Sequence, residues 1–164
     1  MFGSLKKLLG GKEGSGKKEI LAPVSGCAIP MKEVADPTFS QEILGKGVAI
    51  VPTEGVIVAP ASGEVMVMFE TGHAVSIKTD FGAEIIVHVG LDTVNLKGQY
   101  FKPHVSQGDK VKAGDVLVEV ELEKVKEAGY DVTTPVIICN TPSFPNMVCH
   151  SGMEVKALDQ IIEL

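Results

Sequence analysis

From residue 20 onward, short runs rich in valine and isoleucine alternate with glycine-containing turns, and this pattern most restricts the fold. β-Branched residues favour extended strands, whereas Glu-Gly, Ser-Gly and Gly-Asp pairs favour the turns between strands. The runs are VAIVPTEGVIVAP, SGEVMVMF, HAVSIKT, AEIIVHV, DVLVEV and TTPVIIC. We therefore predict an all-β fold, an antiparallel β-sandwich or barrel of short strands with a few short helical turns and no bare edge strands.

Two segments carry helical signals instead. LEKVKEAG can form one small helix that ends at Gly129, and PTFSQEILG can form a turn or two before Gly45. Weak internal repetition is also present, because APVSG at 22–26 recurs as APASG at 59–63 and HSGMEV at 150–155 is similar. VSQGDKVKAGDVLVEV adds two Gly-Asp turns on either side of a short strand. The repetition predicts a fold built from similar hairpins.

The charge of the chain is distributed unevenly. All fifteen basic residues are lysines, and five of them fall in residues 1–19 with only two glutamates, a net charge of +3. The remaining ten lysines face nineteen acidic residues, a net charge of −9. An acidic body argues against nucleic-acid binding, which needs a basic face, and suits a basic protein partner.

The N-terminal segment differs from the rest of the chain. MFGSLKKLLG places apolar residues at helical spacing beside two lysines, and GGKEGSGKKE is typical of a flexible linker. We predict a flexible segment over 1–19, with residues 1–10 as a weak anchor on anionic lipid or as a tail that binds nothing, and a domain over 20–164. The apolar residues concerned are Phe2, Leu5, Leu8 and Leu9.

No apolar run is long enough to cross a bilayer, and no cleavable signal pattern opens the sequence. We therefore expect a cytoplasmic protein, peripheral at the inner face of the plasma membrane if the N-terminal segment binds lipid. The three cysteines, Cys27, Cys139 and Cys149, show no CxxC spacing. We expect reduced, partly buried thiols.

Two of the four histidines lie fifteen residues apart in TGHAVSIKTDFGAEIIVHVGLDTV, residues 71–94. If Asp80 and Phe81 form a two-residue hairpin loop, His73 lies directly opposite His88 on the same face, with Cβ atoms about 4.5–5.5 Å apart. A three-residue loop without a compensating bulge would place the two side chains on opposite faces. The pairing therefore depends on the register of this hairpin.

Such a pair of imidazoles allows three interpretations. One ring, with Nδ1–H held by a backbone carbonyl, can attack phosphorus through Nε2 while the other donates to the phosphoryl oxygens. Thr71 falls on the same face as His73 and could orient it. Alternatively, His73 and His88 could begin a zinc site that needs a third ligand, or they could be a packed, hydrogen-bonded pair in the core.

The segment GAEIIVHVGLDTV, residues 82–94, closely resembles the phosphorylation-site signature of the glucose-type IIA proteins of the bacterial sugar phosphotransferase system. That signature is a glycine, apolar residues running into a histidine, then an apolar residue, a glycine, an apolar residue and a threonine. The resemblance extends over residues 20–164 through LAPVSG, DPTFSQEILGKGVAI, EGVIVAPASGEV, FETGHAVSI, VNLKGQYF, QGDKVKAGD and TPVIICN.

This resemblance implies a phosphocarrier with an antiparallel β-sandwich fold and a transient phosphohistidine, that is, a phosphotransferase component of sugar uptake. His88 matches the residue that takes a phosphoryl group on Nε2 from the phosphohistidine carrier protein HPr and passes it to the IIB domain of a sugar permease. His73 matches the residue that hydrogen-bonds the phosphoryl oxygens, Thr71 the one that orients His73, and Gly90 the carbonyl that holds Nδ1–H of His88.

The resemblance also implies an apolar docking face with an acidic edge. We expect a monomer that needs no cofactor, although His73 and His88 could hold zinc together with a residue of a partner. The predicted docking residues are Phe39, Ile43, Leu44, Phe69 and Ile86, with Asp36 and Asp92 at the edge. Phe39 lies in DPTFSQ, a loop-rich context, and this favours docking over core packing.

Two other classes of protein share parts of this pattern. Biotinyl and lipoyl carriers have similar Gly-Asp turns, but they need a lysine at an exposed hairpin tip, and Lys32 lies outside an evident hairpin. Zinc peptidases of the sandwich type would use a histidine pair with further ligands, typically from an HxH motif. Neither His104 nor His150 has a histidine near it in the sequence. Both classes remain alternatives.

Overall fold

A computed structural model describes residues 17–164 of the chain. The predicted lipid-touching residues 1–10 lie outside the described residues, so lipid contact stays a prediction. Within the described residues, no helix is both long enough and apolar enough to span a bilayer.

The described chain is built from short strands with few helical turns, as predicted. The strands are β1 Glu19–Leu21, β2 Gly26–Pro30, β3 Lys46–Pro52, β4 Val56–Val58, β5 Gly63–Met68, β6 Ala74–Thr79, β7 Glu84–His88, β8 Phe101–Pro103, β9 Lys110–Val111, β10 Val116–Val120, β11 Thr134–Ile138, β12 Val148–Cys149, β13 Met153–Val155 and β14 Gln160–Glu163. The α-helices are α1 Pro37–Ser40 and α2 Leu122–Glu127, and short 3₁₀ turns cover Met31–Glu33, Thr93–Leu96 and Thr141–Ser143.

Within residues 17–164, all strand pairs are antiparallel, and they form three sheets. The largest sheet has the order β13-β2-β3-β11-β7-β6-β5-β9, and two three-stranded sheets have the orders β1-β14-β12 and β4-β10-β8. The central strands β3, β11, β7 and β6 therefore each have neighbours on both sides. This arrangement satisfies their backbone hydrogen bonds and makes them a rigid support for side chains at their ends.

The six apolar runs all contain strands, and both predicted helical turns are present. Gly129 follows α2 with a φ of 95°, consistent with its predicted role as a helix stop. The sequence patterns did not single out β1, β2, β8, β12, β13 or β14, which have two to five residues each. Strands this short have too few residues to show a clear alternation of apolar and polar side chains. They also depend on partner strands from distant parts of the chain.

The cysteines are unpaired among the described residues, but the expectation that all three are partly buried is wrong. Only Cys139 is half-buried, whereas Cys27 and Cys149 are exposed. Cys27 points outward from β2, in which alternate residues are buried, and Cys149 lies on the edge strand β12. Edge strands and outward pleat positions leave side chains in solvent.

Two apolar clusters bury opposite faces of the largest sheet. In β3, Val48 and Ile50 belong to the larger cluster, while Ala49 between them belongs to the smaller one. This alternation follows from the pleat, which directs successive side chains to opposite faces. The smaller cluster lies under α1 and contains Met31, Val34, Phe39, Ala49, Leu91 and Ile137.

The internal repetition corresponds to a repeated hydrogen-bonding arrangement. The hydroxyl of Ser25 accepts the N–H of Ala157 at 2.9 Å, and the hydroxyl of Ser62 accepts the N–H of Ala113 at 3.1 Å. Each APxSG segment thereby supports a turn, VKALD in the first case and VKAGD in the second. HSGMEV differs from these segments, because it leads into the VKALD turn in the way that the segment from His104 leads into the VKAGD turn.

Gly63, the last residue of APASG, lies where no side chain fits. A Cβ atom there would lie 2.1 Å from the carbonyl oxygen of Lys78 and 2.8 Å from the Cα of Thr79. Both atoms belong to the backbone of β6, so relief requires movement of the strand. We expect Gly63→Ala to lower the free energy of unfolding by at least about 2 kcal/mol in urea denaturation. Glu64→Ala, an exposed neighbour, should change it by less than about 1 kcal/mol, and equal effects would contradict this assignment.

Candidate functional site

The hairpin of β6 and β7 has a register one residue away from the predicted one. Thr79 bonds Ala83 across a three-residue loop of Asp80, Phe81 and Gly82, with 2.8 Å between the N–H of Thr79 and the carbonyl of Ala83. His88 therefore lies opposite Ala74 rather than His73. Of the two loops considered, the structure has the three-residue loop, so the condition for direct opposition of the two histidines is not met.

The two histidine rings nevertheless meet. Their centroids are 5.0 Å apart, and the rings are inclined at 81°. His73 precedes the first residue of β6 and follows Gly72, whose φ is 74°, while His88 is the last residue of β7. Outside the regular strand, the pleat no longer dictates the side on which a residue projects. The two rings thus meet at the open end of the hairpin, although His73 and His88 are not opposite each other in the strand pairing.

A backbone carbonyl holds the His88 ring. The carbonyl oxygen of Gly90 lies 2.7 Å from Nδ1 of His88, and Gly90 has a φ of 83°. A carbonyl can only accept, so Nδ1 carries the hydrogen. The neutral imidazole has a single N–H, and Nε2 is therefore left with a free lone pair. The contact predicted for Gly90 is present.

His73 is more deeply buried than His88. The hydroxyl of Thr71 is hydrogen-bonded to Nδ1 of His73, as predicted for Thr71. The ring of Phe69 lies edge-on against His73, with centroids 5.4 Å apart. Only 4% of the surface of His73 is exposed, whereas His88 is half-buried. Of the two rings, His88 is the one that an incoming group can approach.

Burial keeps both rings neutral. It lowers the pKa of His88 below the ordinary 6.5, although the Gly90 hydrogen bond and the carboxylates of Asp36 and Asp92 act in the opposite direction. The pKa of His73 falls to about 4, chiefly because the ring is buried and also because a charge on His88 would repel a second one. At neutral pH the site therefore presents two uncharged imidazoles.

The predicted apolar docking residues divide into two groups. Ile43, Leu44 and Phe69 are exposed, Ile43 by 66%, and Ile86 is half-buried. Phe39 is only 5% exposed, so its predicted place on a docking face is wrong. The helix α1 folds it into the smaller cluster, where its ring lies 5.0 Å from that of His88. The buried Phe39 ring therefore packs beside the ring of His88.

The two predicted acidic residues lie in turns that flank the site. Asp36 caps α1 and accepts the N–H of Thr38 at 2.9 Å, and Pro37 occupies the first helical position. Asp92 precedes the 3₁₀ turn Thr93–Leu96 in a left-handed conformation. Val94, inside that turn, is exposed and was not singled out. Its position directly after the threonine that ends the signature was the available signal.

The site offers two metal ligands. Within residues 17–164 there is no group of three or more histidine, cysteine or acidic side chains arranged to hold a metal ion. The free Nε2 of His88 suits a metal, but zinc at His73 and His88 needs a ligand from another protein, and this stays a prediction. The other two histidines pair with glutamates elsewhere: His104 with Glu119 at 2.7 Å and His150 with Glu163 at 2.6 Å. A zinc peptidase is therefore not favoured.

A family model described as phosphoenolpyruvate-dependent sugar phosphotransferase system, EIIA 1, matches residues 18–144. The glucose-specific EIIA component of Halalkalibacterium halodurans is 43% identical over 96% of this chain and 91% of its own length. The beta-glucoside-specific EIIBCA component of Bacillus subtilis is 50% identical over 79% of this chain, and that match spans 21% of the relative's length. This chain thus corresponds to about a fifth of the EIIBCA relative.

Among solved structures, the glucose permease IIA from Mycoplasma capricolum superimposes with a TM-score of 0.83 at 36% identity. The match covers 91% of this chain and 96% of the other. The antiparallel β-sandwich fold is therefore confirmed.

The depressed pKa of His73 makes stability depend on pH. Between about pH 6.5 and pH 4 the unfolded chain binds a proton at this residue while the folded protein does not. The free energy of unfolding therefore falls as the pH falls through that window, with a contribution from His73 on the order of 3 kcal/mol. Urea denaturation at several pH values should show a shallower pH dependence for His73→Gln, and parallel curves for the two proteins would contradict the assignment.

Proposed function

The chain belongs to the EIIA 1 family of the phosphoenolpyruvate-dependent sugar phosphotransferase system, and we propose that it carries a phosphoryl group on Nε2 of His88 during sugar uptake. The observation that supports this most directly is the 2.7 Å contact between Nδ1 of His88 and the Gly90 carbonyl. That contact exposes one nucleophilic nitrogen on a half-buried ring. The biotinyl or lipoyl carrier is not favoured, because Lys32 lies in a 3₁₀ turn rather than at a hairpin tip.

The proposed donor is the phosphohistidine carrier protein HPr, and the proposed acceptor is the IIB domain of a sugar permease. Family membership supports the donor, and the match to relatives named EIIBCA supports a IIB domain as the acceptor. Exchange with these proteins would require a cytoplasmic location, and we include this location in the proposal. Lipid contact through residues 1–10 would add a peripheral membrane location.

The proposed step exchanges one N–P bond for another. The Nε2 lone pair of His88 forms a bond to phosphorus while the N–P bond to the donor imidazole breaks, and the donor nitrogen retains that electron pair. His88 keeps its Nδ1–H, so the phosphorylated ring carries a positive charge. The Gly90 carbonyl accepts this N–H in both states, and the nearby carboxylates of Asp36 and Asp92 favour the positive ring. On transfer to the acceptor, the N–P bond to His88 breaks and Nε2 of His88 recovers its lone pair, so the ring is again neutral.

His73 acts in this proposal as a neutral donor. With the Thr71 hydroxyl donating to Nδ1 of His73, the ring hydrogen resides on Nε2 and can be donated to a phosphoryl oxygen on the neighbouring His88. A pKa of about 4 keeps His73 uncharged at neutral pH. An uncharged donor stabilises the transferring group without holding it as strongly as a cation would, and this suits a group that must leave again.

The exposed apolar side chains supply the docking face in this proposal. Ile43, Leu44, Phe69 and Val94 are exposed, and a partner that covers them would exclude water from the reacting atoms. Acidic residues flank the same site at 36 and 92 and would attract basic side chains of the partner.

Replacement of His88 tests the proposed acceptor. We expect His88→Gln to take up no label from radioactive phosphoenolpyruvate in the presence of the two upstream proteins of the system, because glutamine offers no nucleophilic nitrogen. His150→Gln is the matched control, since His150 pairs with Glu163 outside the site, and it should label normally. Normal labelling of His88→Gln would reject the proposal.

Replacement of His73 separates acceptance from release. We expect His73→Gln to accept label but to pass it to a IIB domain roughly a hundredfold more slowly, because stabilisation of the transferring oxygens is lost. Rapid-quench measurement of label transfer from the phosphorylated protein to the IIB domain gives this rate directly. A transfer rate equal to that of the unchanged protein would exclude this role for His73.

A further inference from the structure

Thr93 is a buried polar residue for which the proposed mechanism has no role so far. It begins the 3₁₀ turn after Asp92, and none of its surface is exposed. Its hydroxyl donates to the carbonyl of Val89 at 2.6 Å. That carbonyl is one residue after His88, so the bond reaches the backbone that leads to Gly90.

The peptide unit between Val89 and Gly90 is held at both ends. Its carbonyl, from Val89, accepts the Thr93 hydroxyl, and its N–H, from Gly90, donates to the carbonyl of Thr133 at 3.1 Å. A peptide unit is planar, so two partners on opposite edges fix its orientation. Without the Thr93 bond, Thr133 would be the one remaining direct hydrogen-bond partner of this unit among the described residues.

The next peptide unit carries the carbonyl that holds the histidine. Its N–H, from Leu91, donates to the carbonyl of Asp131 at 2.9 Å, and its carbonyl, from Gly90, accepts Nδ1–H of His88 at 2.7 Å. The orientation of this unit depends on the unit before it, because the two share the Cα of Gly90. A rotation of the first unit therefore moves the Gly90 carbonyl relative to the imidazole.

Packing reinforces this arrangement. A Cβ atom on Gly90 would lie 2.5 Å from Cγ2 of Thr93 and 3.0 Å from the carbonyl oxygen of Asp131. The methyl group of Thr93 thus packs beside Gly90 while its hydroxyl bonds Val89. Serine lacks the methyl group and valine lacks the hydroxyl. Since Thr93 is fully buried, water cannot readily replace a missing hydroxyl.

We propose that Thr93 is a positioning residue that, through Val89 and Gly90, keeps the Gly90 carbonyl on Nδ1 of His88 and thereby keeps the lone pair on Nε2. Its importance for phosphoryl transfer rests on the function proposed above, whereas its effect on the imidazole does not. If the carbonyl moves away, the ring hydrogen is free to move to Nε2, and this tautomer has no lone pair at the reacting nitrogen.

The tautomer of His88 is the direct test. Long-range ¹H–¹⁵N correlation spectra at pH 8 distinguish an Nδ1–H ring from an Nε2–H ring. We expect Nδ1–H for His88 in the unchanged protein and in Thr93→Ser, which keeps the hydroxyl, and a measurable Nε2–H population in Thr93→Val. Thr93→Ala, a second variant without the hydroxyl, should show the same population and serves if Thr93→Val does not fold.

Thr79→Val is the matched control for lost stability. Thr79 is also buried, and its hydroxyl accepts the N–H of Ala83 at 2.8 Å at the far end of the same hairpin. The variant loses a comparable hydrogen bond, yet we expect His88 to keep its Nδ1–H tautomer. The inference is overturned if Thr93→Val and Thr93→Ala retain the Nδ1–H ring, if Thr93→Ser shifts as they do, or if Thr79→Val shifts equally.

The rate of phosphoryl acceptance links the tautomer to the proposed function. With phosphoenolpyruvate and the two upstream proteins, acceptance should slow roughly tenfold in Thr93→Val and recover in Thr93→Ser. A changed tautomer with an unchanged rate would overturn the positioning role. Failure of the unchanged protein to accept label would reject the proposed function instead, while the spectra would still decide whether Thr93 controls the ring.

Discussion

The hydrogen bond between the Gly90 carbonyl and Nδ1 of His88 is the interaction on which the rest of the site depends. It determines which ring nitrogen has a free lone pair, and it tethers a half-buried side chain. A backbone carbonyl is well suited to this role, because its position is set by the fold rather than by a flexible side chain. The bonds from Gly90 and Leu91 to Thr133 and Asp131 contribute to that fixed position, together with the bond from the Thr93 hydroxyl to Val89.

The charge state of the site follows from its place at the end of a buried hairpin. Desolvation disfavours a cation on either ring, and the carboxylates of Asp36 and Asp92 only partly offset this for His88. For His73, which contacts Phe69 and His88, burial and repulsion by a charge on His88 act in the same direction and lower the pKa to about 4. The same burial therefore provides both the uncharged nucleophile and the uncharged donor that the proposed transfer needs.

The strand pattern was predictable because the alternation of apolar residues and the choice of turn residues act locally. Each of the six Val- and Ile-rich runs contains a strand, and α1 and α2 both lie within the two segments that carried helical signals. The pair of histidines and the residues beside them, Thr71 and Gly90, could also be found from motif and spacing. Short strands such as β8 and β12 could not, since their few residues carry almost no periodic signal.

The sequence by itself determined the all-β character, the hairpin that carries both histidines and the glycine whose left-handed conformation turns its carbonyl toward His88. Only the tertiary structure decided the one-residue change in register, the burial of Phe39 under α1, and the way Thr93, Asp131 and Thr133 surround Gly90. The physical reason is the sequence separation of the contacts. Turn and strand preferences involve neighbours, whereas the carbonyls of residues 133 and 131 reach the N–H groups of Gly90 and Leu91 only when β11, which follows them, pairs with β7.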